Sequence, residues 1–449
     1  MPERLRLSRR AMLRSIARGA GALALAGTSV PRLARAEAPD VRPVSSSARW
    51  TSIVVGAGAF GAWTAWHLLR KGERVLLLDA WGPAHARASS GGESRVTRTA
   101  YGADEIYTRM AWDSLVDWRW LSERSGLPVF HKTGVLFFFP RVEPYVTQSL
   151  EVHKRLGIPI EALQRAEMAR RFPQINWDGI EVGLYEPELG ALMARRAVQT
   201  LVAEFVKAGG EYRTVSVLPP APPISETSGN AKRDAVRTSA GEAPLGGIRT
   251  SSGDVLRAER YLFACGPWLP KIFPETLGSR IFPTRQEVFF FAPEAGDTRF
   301  QPGHLPTWAD FNNGDIYYGM PDLEARGFKI AHDAHGPPID PDTGDREASV
   351  AALADVREFI KMRFPALAAR PVVESRVCQY ENSSNGDFLI DRHPAWRDVW
   401  LIGAGSGHGF KHAPAVGLYA AALATGGLKS VEPRFSLASK AATQQRLVH

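Results

Sequence analysis

Short apolar runs that end at glycine or at a charged residue dominate the hydrophobic pattern of this chain. The runs 53–55 and 75–78 flank a stretch with helical spacing, which predicts strand, helix and strand. Two further runs, at 260–265 and 398–402, also end in glycine turns and predict buried strands. We therefore predict one α/β domain whose pieces are spread along the sequence.

Between these runs the pattern predicts a second sheet and two long helices. Apolar and aromatic residues recur at helical spacing over 105–124, and 413–423 is a wholly apolar helix candidate. The further strand candidates are 134–139, 287–291 and 314–319. The segment 218–247 is rich in Pro, Ser, Gly and charge, so we expect a solvent loop there.

A glycine motif lies between the first predicted strand and the first predicted helix. Gly56 permits the tight turn, Gly58 lets a pyrophosphate approach the backbone, and Gly61 lets the helix lie close to the strand. Asp79 ends the second strand at about the 20-residue spacing of this motif, where it would accept ribose hydroxyls. This layout predicts a dinucleotide-binding βαβ unit.

The first 36 residues have the features of a twin-arginine (Tat) export signal. Arg9 and Arg10 precede an apolar run over 19–30, which is shorter than the ~20 residues needed to span a bilayer. We predict cleavage after Ala36, a linker over 37–49, the Tat export machinery as a partner, and a periplasmic or secreted protein without a stable membrane span.

The net charge bears on whether the protein binds nucleic acid, and the number of cysteines limits the number of disulfides. The chain has 449 residues and a net charge of +8, and its first 36 residues hold eight arginines and one glutamate, so the remainder is near neutral. A near-neutral protein lacks the concentrated basic face that nucleic acids need, and we expect no nucleic-acid partner. The two cysteines, Cys265 and Cys378, allow one disulfide at most.

Several motifs in order resemble a known family. Besides the unit at 56–79, they are the segments 94–102, 132–136, 339–342, 378–380, 387–391 and 405–411. Together they resemble the flavin-dependent amine oxidases typified by monomeric sarcosine oxidase and N-methyltryptophan oxidase, over nearly all of the chain after the leader. The resemblance implies an α/β (α+β two-domain) fold, in which a Rossmann-like FAD-binding domain is interleaved with a sheet-based substrate domain. The FAD-binding domain would comprise 50–105, 191–270 and 375–430, and the substrate domain 106–190 and 271–374.

The resemblance also implies roles for individual residues. The FAD-binding set would be Gly56, Gly58, Gly61, Asp79, Ser89, Arg95, Cys378, Gly407, Gly409 and Lys411. Cys378 would form a thioether to the flavin, with Arg95 supplying positive charge beside it; the alternative is a small buried apolar side chain, which is the better interpretation for Cys265.

The catalytic set would be Arg95, Arg98, Tyr380 and Lys411. In this set Arg98 and Lys411 grip the substrate carboxylate, and Tyr380 lies beside the flavin. No metal is expected, because no His and Cys cluster has ligand spacing.

We therefore expect an exported FAD-dependent oxidase that converts the C–N bond of an N-methyl or cyclic amino acid to an imine, with O2 as acceptor and H2O2 as product. Oxidases of this family carry a lysine near the flavin, in the segment after a strand like 285–291. Residues 284–306 contain no lysine, and Arg299 is the nearest basic candidate. A dehydrogenase that uses a quinone or another acceptor is therefore one alternative, and a non-catalytic flavin-binding protein is another.

Overall fold

The computed structural model describes residues 49–221, 243–312, 314–334 and 336–444. The predicted leader, nearly all of the predicted linker and the middle of the predicted loop at 218–247 lie outside these ranges. Within them, no helix is long and apolar enough to cross a membrane.

The strands are numbered in chain order. They are β1 (Trp50–Val55), β2 (Val75–Asp79), β3 (Ser94–Thr97), β4 (Phe130–His131), β5 (Val135–Phe139), β6 (Glu161–Gln164), β7 (Val182–Glu186), β8 (Gly190–Met193), β9 (Glu211–Thr214), β10 (Ile248–Arg249), β11 (Val255–Leu256), β12 (Ala258–Phe263), β13 (Ile281–Phe291), β14 (Thr307–Asn312), β15 (Asp315–Met320), β16 (Phe328–Asp333), β17 (Val372–Ser383), β18 (Leu389–Arg392) and β19 (Val399–Gly403).

The helices are numbered in the same way. They are α1 (Ala59–Arg70), α2 (Glu105–Ser125), α3 (Pro144–Leu156), α4 (Arg165–Arg171), α5 (Ala194–Lys207), α6 (Leu269–Ile272), α7 (Pro274–Leu277), α8 (Val350–Arg363) and α9 (Ala413–Ala424).

A six-stranded sheet in the order β18-β19-β12-β1-β2-β9 forms the first layer. Its central strands β19, β12, β1 and β2 are parallel, as the βαβ unit requires. Val54 and Leu77 point towards helices α1, α5 and α9, whereas Ile53 and Leu76 point into the core on the opposite face. Because both faces are buried, these strands read as continuous apolar runs rather than alternating ones.

An eight-stranded sheet in the order β17-β13-β16-β15-β14-β5-β7-β6 forms the second unit. Helix α8 covers one face through an aromatic cluster in which Trp308 stacks on Phe328 and Phe359. On the other face lie Phe137, Phe311 and their apolar neighbours, which also line the site described below.

A small sheet in the order β3-β8-β4 lies between the two larger units, and β3 carries Arg95. The predicted α/β two-domain fold is confirmed. All strands of the six-stranded sheet come from the three segments predicted for the FAD-binding domain. Strand β17 crosses the predicted boundary at residue 375 and pairs along its length with β13 of the eight-stranded sheet.

Candidate active site

The turn between β1 and α1 is closed by contacts that only glycine allows. Gly56 has φ +103°, and a Cβ there would overlap the carbonyl oxygen of Ala264. A Cβ on Gly61 would overlap the carbonyl of Gly56. At Gly58 a Cβ would lie 3.5 Å from Ser90 Oγ, an ordinary contact, so its missing side chain leaves room on the cavity side.

Asp79 is fixed against this turn by backbone amides. Its Oδ2 accepts a hydrogen bond from the N–H of Ala57 at 2.8 Å, and its Oδ1 accepts from the N–H groups of Trp81 and Gly82, both at 3.0 Å. The carboxylate therefore stands at a set position at the end of β2, in the wall of the cavity that Gly56 and Gly58 also line.

This first cavity has a volume of about 340 Å³. Ser89 belongs to its wall, and the Ser89 Oγ atom is fully buried without a hydrogen-bond partner among the described residues. A second cavity of about 120 Å³ shares Arg95, Tyr380 and Gly407 in its wall with the first, so the two cavities are adjacent. A glycine-lined groove with an acid at one end fits an extended dinucleotide.

Arg95 and Cys378 meet at the junction of the two cavities. Arg95 Nη2 lies 3.5 Å from Cys378 Sγ and also donates to the carbonyl of Ser89, while Nη1 donates to the carbonyl of Ser94 at 2.7 Å. Two backbone carbonyls therefore hold the Arg95 guanidinium beside the Cys378 thiol.

Cys265 stands in a different setting, in the wall of the first cavity with its Sγ 3.6 Å from the carbonyl of Val55. Burial raises the pKa of the Cys265 thiol well above its usual range, because the charged form is poorly solvated. Both cysteines are free thiols in the structure. The setting of Cys265 is that of a small apolar side chain.

Arg98 and Lys411 both line the second cavity. Arg98 is 8% exposed, donates to the carbonyl of Ala100, and has its guanidinium carbon 3.8 Å from the ring centre of Tyr101. Lys411 is 5% exposed, and its Nζ donates to the carbonyl of His408 at 2.8 Å and to the hydroxyl of Tyr101 at 3.0 Å. Arg98 and Lys411, which lie over 300 residues apart in the sequence, therefore both contact Tyr101.

Tyr380 lies on β17 two residues after Cys378, on the same face of the strand. Its hydroxyl donates to Asp333 Oδ1 at 3.0 Å and is hydrogen-bonded to Tyr318. Burial and the Asp333 charge hold the pKa of Tyr380 well above its usual range, so the phenol keeps its proton. A Cβ on Gly407, which has φ +77°, would lie 2.8 Å from the Tyr380 ring, so glycine permits this packing.

Lys329, on β16, is a further cation of this site, besides Arg95, Arg98 and Lys411. It is 2% exposed, and its Nζ donates to the carbonyl of Ser94 at 2.9 Å. Burial, and after it the charge of Arg95, lowers the pKa of Lys329 to about 7. The side chain lines the second cavity together with Arg95 and Cys378.

Comparison with known proteins identifies the family. A family model described as DAO, FAD dependent oxidoreductase, matches residues 52–423. The chain belongs to this family. Among curated proteins, monomeric sarcosine oxidase of Bacillus sp. (strain B-0618) is 29% identical and the match covers 83% of this chain and 91% of that one. N-methyl-L-tryptophan oxidase of Citrobacter koseri is 27% identical, with 84% and 95% covered.

Solved structures of other proteins share the fold. The L-proline dehydrogenase of P. horikoshii superposes with a TM-score of 0.72 at 19% identity, covering 87% of this chain and 97% of that one. The predicted resemblance and the predicted FAD cofactor are confirmed. This family member is an FAD-dependent amine oxidoreductase of the sarcosine oxidase type.

The residues predicted from the sequence fall into two connected groups. Lining the first cavity are Gly56, Gly58, Asp79, Ser89, Arg95, Tyr380, Gly407 and Gly409. Lining the second are Arg95, Arg98, Cys378, Tyr380, Gly407 and Lys411. Gly61 lies in neither wall, because its role is to let α1 approach the turn. Their individual roles in this family member stay predictions.

Sequence reasoning missed Lys329, Asp333 and Tyr318. Arg299, the basic candidate within 284–306, is exposed and is paired with Asp297 at 2.7 Å, whereas Lys329 lines the second cavity. Residue 290 pairs with Lys329 across β13 and β16, so the lysine is next to this strand in the sheet rather than after it in the chain. Strand periodicity marks the half-buried β16, but no local signal shows which strand it joins.

Proposed function

We propose that this protein is an FAD-dependent oxidase that oxidises the C–N bond of an N-methyl or cyclic amino acid to an imine and passes the electrons to O2, giving H2O2. The observation that carries the proposal is that Arg98 and Lys411 line one small cavity that also reaches Cys378 and Tyr380. Arg offers a bidentate fork and Lys a point charge, a combination suited to a carboxylate.

When bound, FAD supplies the redox chemistry by accepting a hydride equivalent from the carbon next to the amine. The residues of this chain would bind the cofactor and orient the substrate. Gly56, Gly58, Asp79 and Ser89 would hold the dinucleotide, and Cys378 would form a covalent link to the flavin. Phe137, Phe290 and Phe311 give the second cavity an apolar wall, which would limit the access of water to the reacting carbon once substrate is bound.

The names of the relatives favour a secondary amine over a primary one. Sarcosine and N-methyl-L-tryptophan, after which these relatives are named, are both N-methyl amino acids. An imine formed from an N-methyl amino acid is hydrolysed by water to an amine and an aldehyde, so no further group on the protein is required.

Lys329 supports oxygen as the acceptor. The absence of a lysine was the reason to favour a quinone-linked dehydrogenase, and the buried Lys329 beside Arg95 removes that reason. A cation in a dry site stabilises the negative charge that develops when O2 takes up its first electron.

We also propose that the protein is exported by the Tat machinery and acts in the periplasm or outside the cell. The support is the sequence of residues 1–36. Replacing Arg9 and Arg10 together by Lys should keep the protein in the cytoplasm, whereas the unaltered chain should be recovered outside it with Glu37 as its first residue. Cytoplasmic recovery of the unaltered chain would refute this part.

The catalytic proposal is tested with matched pairs of amines. Proline and pyrrolidine differ by one carboxylate, as do N-methylalanine and N-methylethylamine. The purified holoenzyme should release H2O2 with proline or N-methylalanine and do so at least tenfold less efficiently with their partners. Equal activity within each pair would refute the carboxylate grip, and substrate consumption without peroxide would refute O2 as the acceptor.

A further inference from the structure

We infer that Tyr101 is a positioning residue, which holds Arg98 and Lys411 where both can bind the same carboxylate. The inference rests on the proposed function, because it gives Tyr101 a role only if these two cations bind the substrate. Its basis is geometric, since the ring of Tyr101 carries one cation and its hydroxyl holds the other.

The ring contact fixes the plane of the Arg98 guanidinium. Its central carbon lies 3.8 Å from the ring centre of Tyr101, well inside the range of a cation–π contact. Stacking of this kind uses the face of the guanidinium and none of its N–H donors. Arg98 can thus be held in place while the edge of its fork stays directed at a ligand.

The hydroxyl contact fixes Lys411. A lysine ammonium stands on a flexible four-carbon stem, and it needs acceptors to hold it at one place. Here the Nζ donates to the carbonyl of His408 at 2.8 Å and to the hydroxyl of Tyr101 at 3.0 Å. Of these two acceptors, Tyr101 is the one that also touches Arg98.

His412 and His408 hold the hydroxyl in place. Tyr101 Oη lies 2.7 Å from His412 Nε2 and 3.3 Å from His408 Nδ1, and His412 is fully buried. Burial, and then the neighbouring Lys411, holds the pKa of His412 well below its usual range, so its ring is neutral. The phenol oxygen is therefore held beside a neutral ring, within hydrogen-bond distance of the Lys411 ammonium.

Two substitutions separate the two contacts. Tyr101→Phe keeps the ring under Arg98 and removes the acceptor of Lys411, so the KM for proline should rise about tenfold with kcat within about twofold. Tyr101→Leu removes both contacts, and the KM should rise about a hundredfold. For pyrrolidine, which has no carboxylate, both variants should match the unaltered enzyme.

Tyr107→Phe is the matched control. Tyr107 is 4% exposed, packs beside Tyr101, and donates its hydroxyl to Asp387 at 2.9 Å, whereas the hydroxyl of Tyr101 accepts from Lys411. This control should leave the KM ratio of proline to pyrrolidine unchanged. FAD content and pyrrolidine turnover report whether each variant is folded.

The outcomes distinguish the inference from the function on which it rests. If the unaltered enzyme prefers proline and Tyr101→Phe keeps the full preference, the inference alone is wrong. If the unaltered enzyme does not prefer proline over pyrrolidine, the carboxylate grip is wrong and the inference falls with it. A loss of preference in Tyr101→Phe, with the control unchanged, supports both.

Discussion

Replacing Lys329 by Met tests the assignment of the oxygen-reactive group. The substitution keeps most of the side-chain volume and removes the one ammonium that β16 places in the second cavity. Lys329 is 2% exposed and is held by the carbonyl of Ser94. Arg95 keeps its own bond to that carbonyl, so the guanidinium stays beside Cys378 in the variant.

The expected magnitude follows from the burial of this cation. Removing one preorganised electrostatic group from a water-excluded site costs about 10²–10³ in rate, which is roughly 2.7–4 kcal/mol of barrier. The reoxidation rate of the reduced enzyme by O2 should therefore fall by that factor. Flavin reduction by substrate should change little, because that step depends on Arg98 and Lys411.

The pKa of Lys329 also predicts the direction in which the reoxidation rate changes with pH. The pKa of Lys329 is lowered to about 7, so the ammonium is present below this pH and is lost as pH rises through it. Reoxidation of the unaltered enzyme should accordingly slow as pH rises through about 7, and the Lys329→Met profile should lack this step.

The assay is stopped-flow mixing of substrate-reduced enzyme with aerated buffer, followed by visible flavin absorbance. Lys361→Met is a matched control, because Lys361 is an exposed residue of α8 that pairs with Glu358. Reoxidation of Lys329→Met at the unaltered rate would refute the oxygen assignment, as would a control as slow as the variant.

Three further predictions follow from the geometry. Arg98→Ala should raise the KM for N-methylalanine by roughly 10–100-fold without loss of FAD; an unchanged KM, measured by peroxide release, would contradict the carboxylate grip. Cys378→Ser should release its flavin into the supernatant on acid precipitation, whereas the unaltered enzyme should retain it in the pellet; release from both would contradict the covalent link. Asp310→Ala should lower the free energy of unfolding by about 3–5 kcal/mol, because it leaves the buried Arg363, now 2.8 Å from Asp310, without its counter-ion; urea unfolding measures this, and a loss below about 1 kcal/mol would contradict it.

The parts of the site that local sequence could predict are those carried by contiguous motifs. Gly56, Gly61 and Asp79 form one βαβ unit, so their spacing determines their contacts. Arg95 and Cys378 were each recognised within their own motif, and their contact at 3.5 Å across the site agrees with the shared role that the resemblance implies.

What the sequence could not supply was strand order. The order β17-β13-β16 places Lys329 beside residue 290 and Asp333 beside Tyr380, although 39 positions of sequence separate residues 290 and 329. Pairings of this kind depend on packing of whole sheets rather than on local pattern. In the same order, β17, which carries Cys378, pairs with β13 and so belongs to the eight-stranded sheet rather than to the sheet of the dinucleotide unit.

The central claim is that this chain oxidises an amino acid at its C–N bond and gives the electrons to oxygen. The most direct measurement is the visible flavin absorbance of the holoenzyme, mixed without oxygen with a panel of N-methyl and cyclic amino acids and then exposed to air. The account predicts bleaching by at least one member of the panel and rapid recovery in air with release of H2O2. Absence of bleaching by every member would contradict the substrate class, and bleaching that persists in air would contradict oxygen as the acceptor.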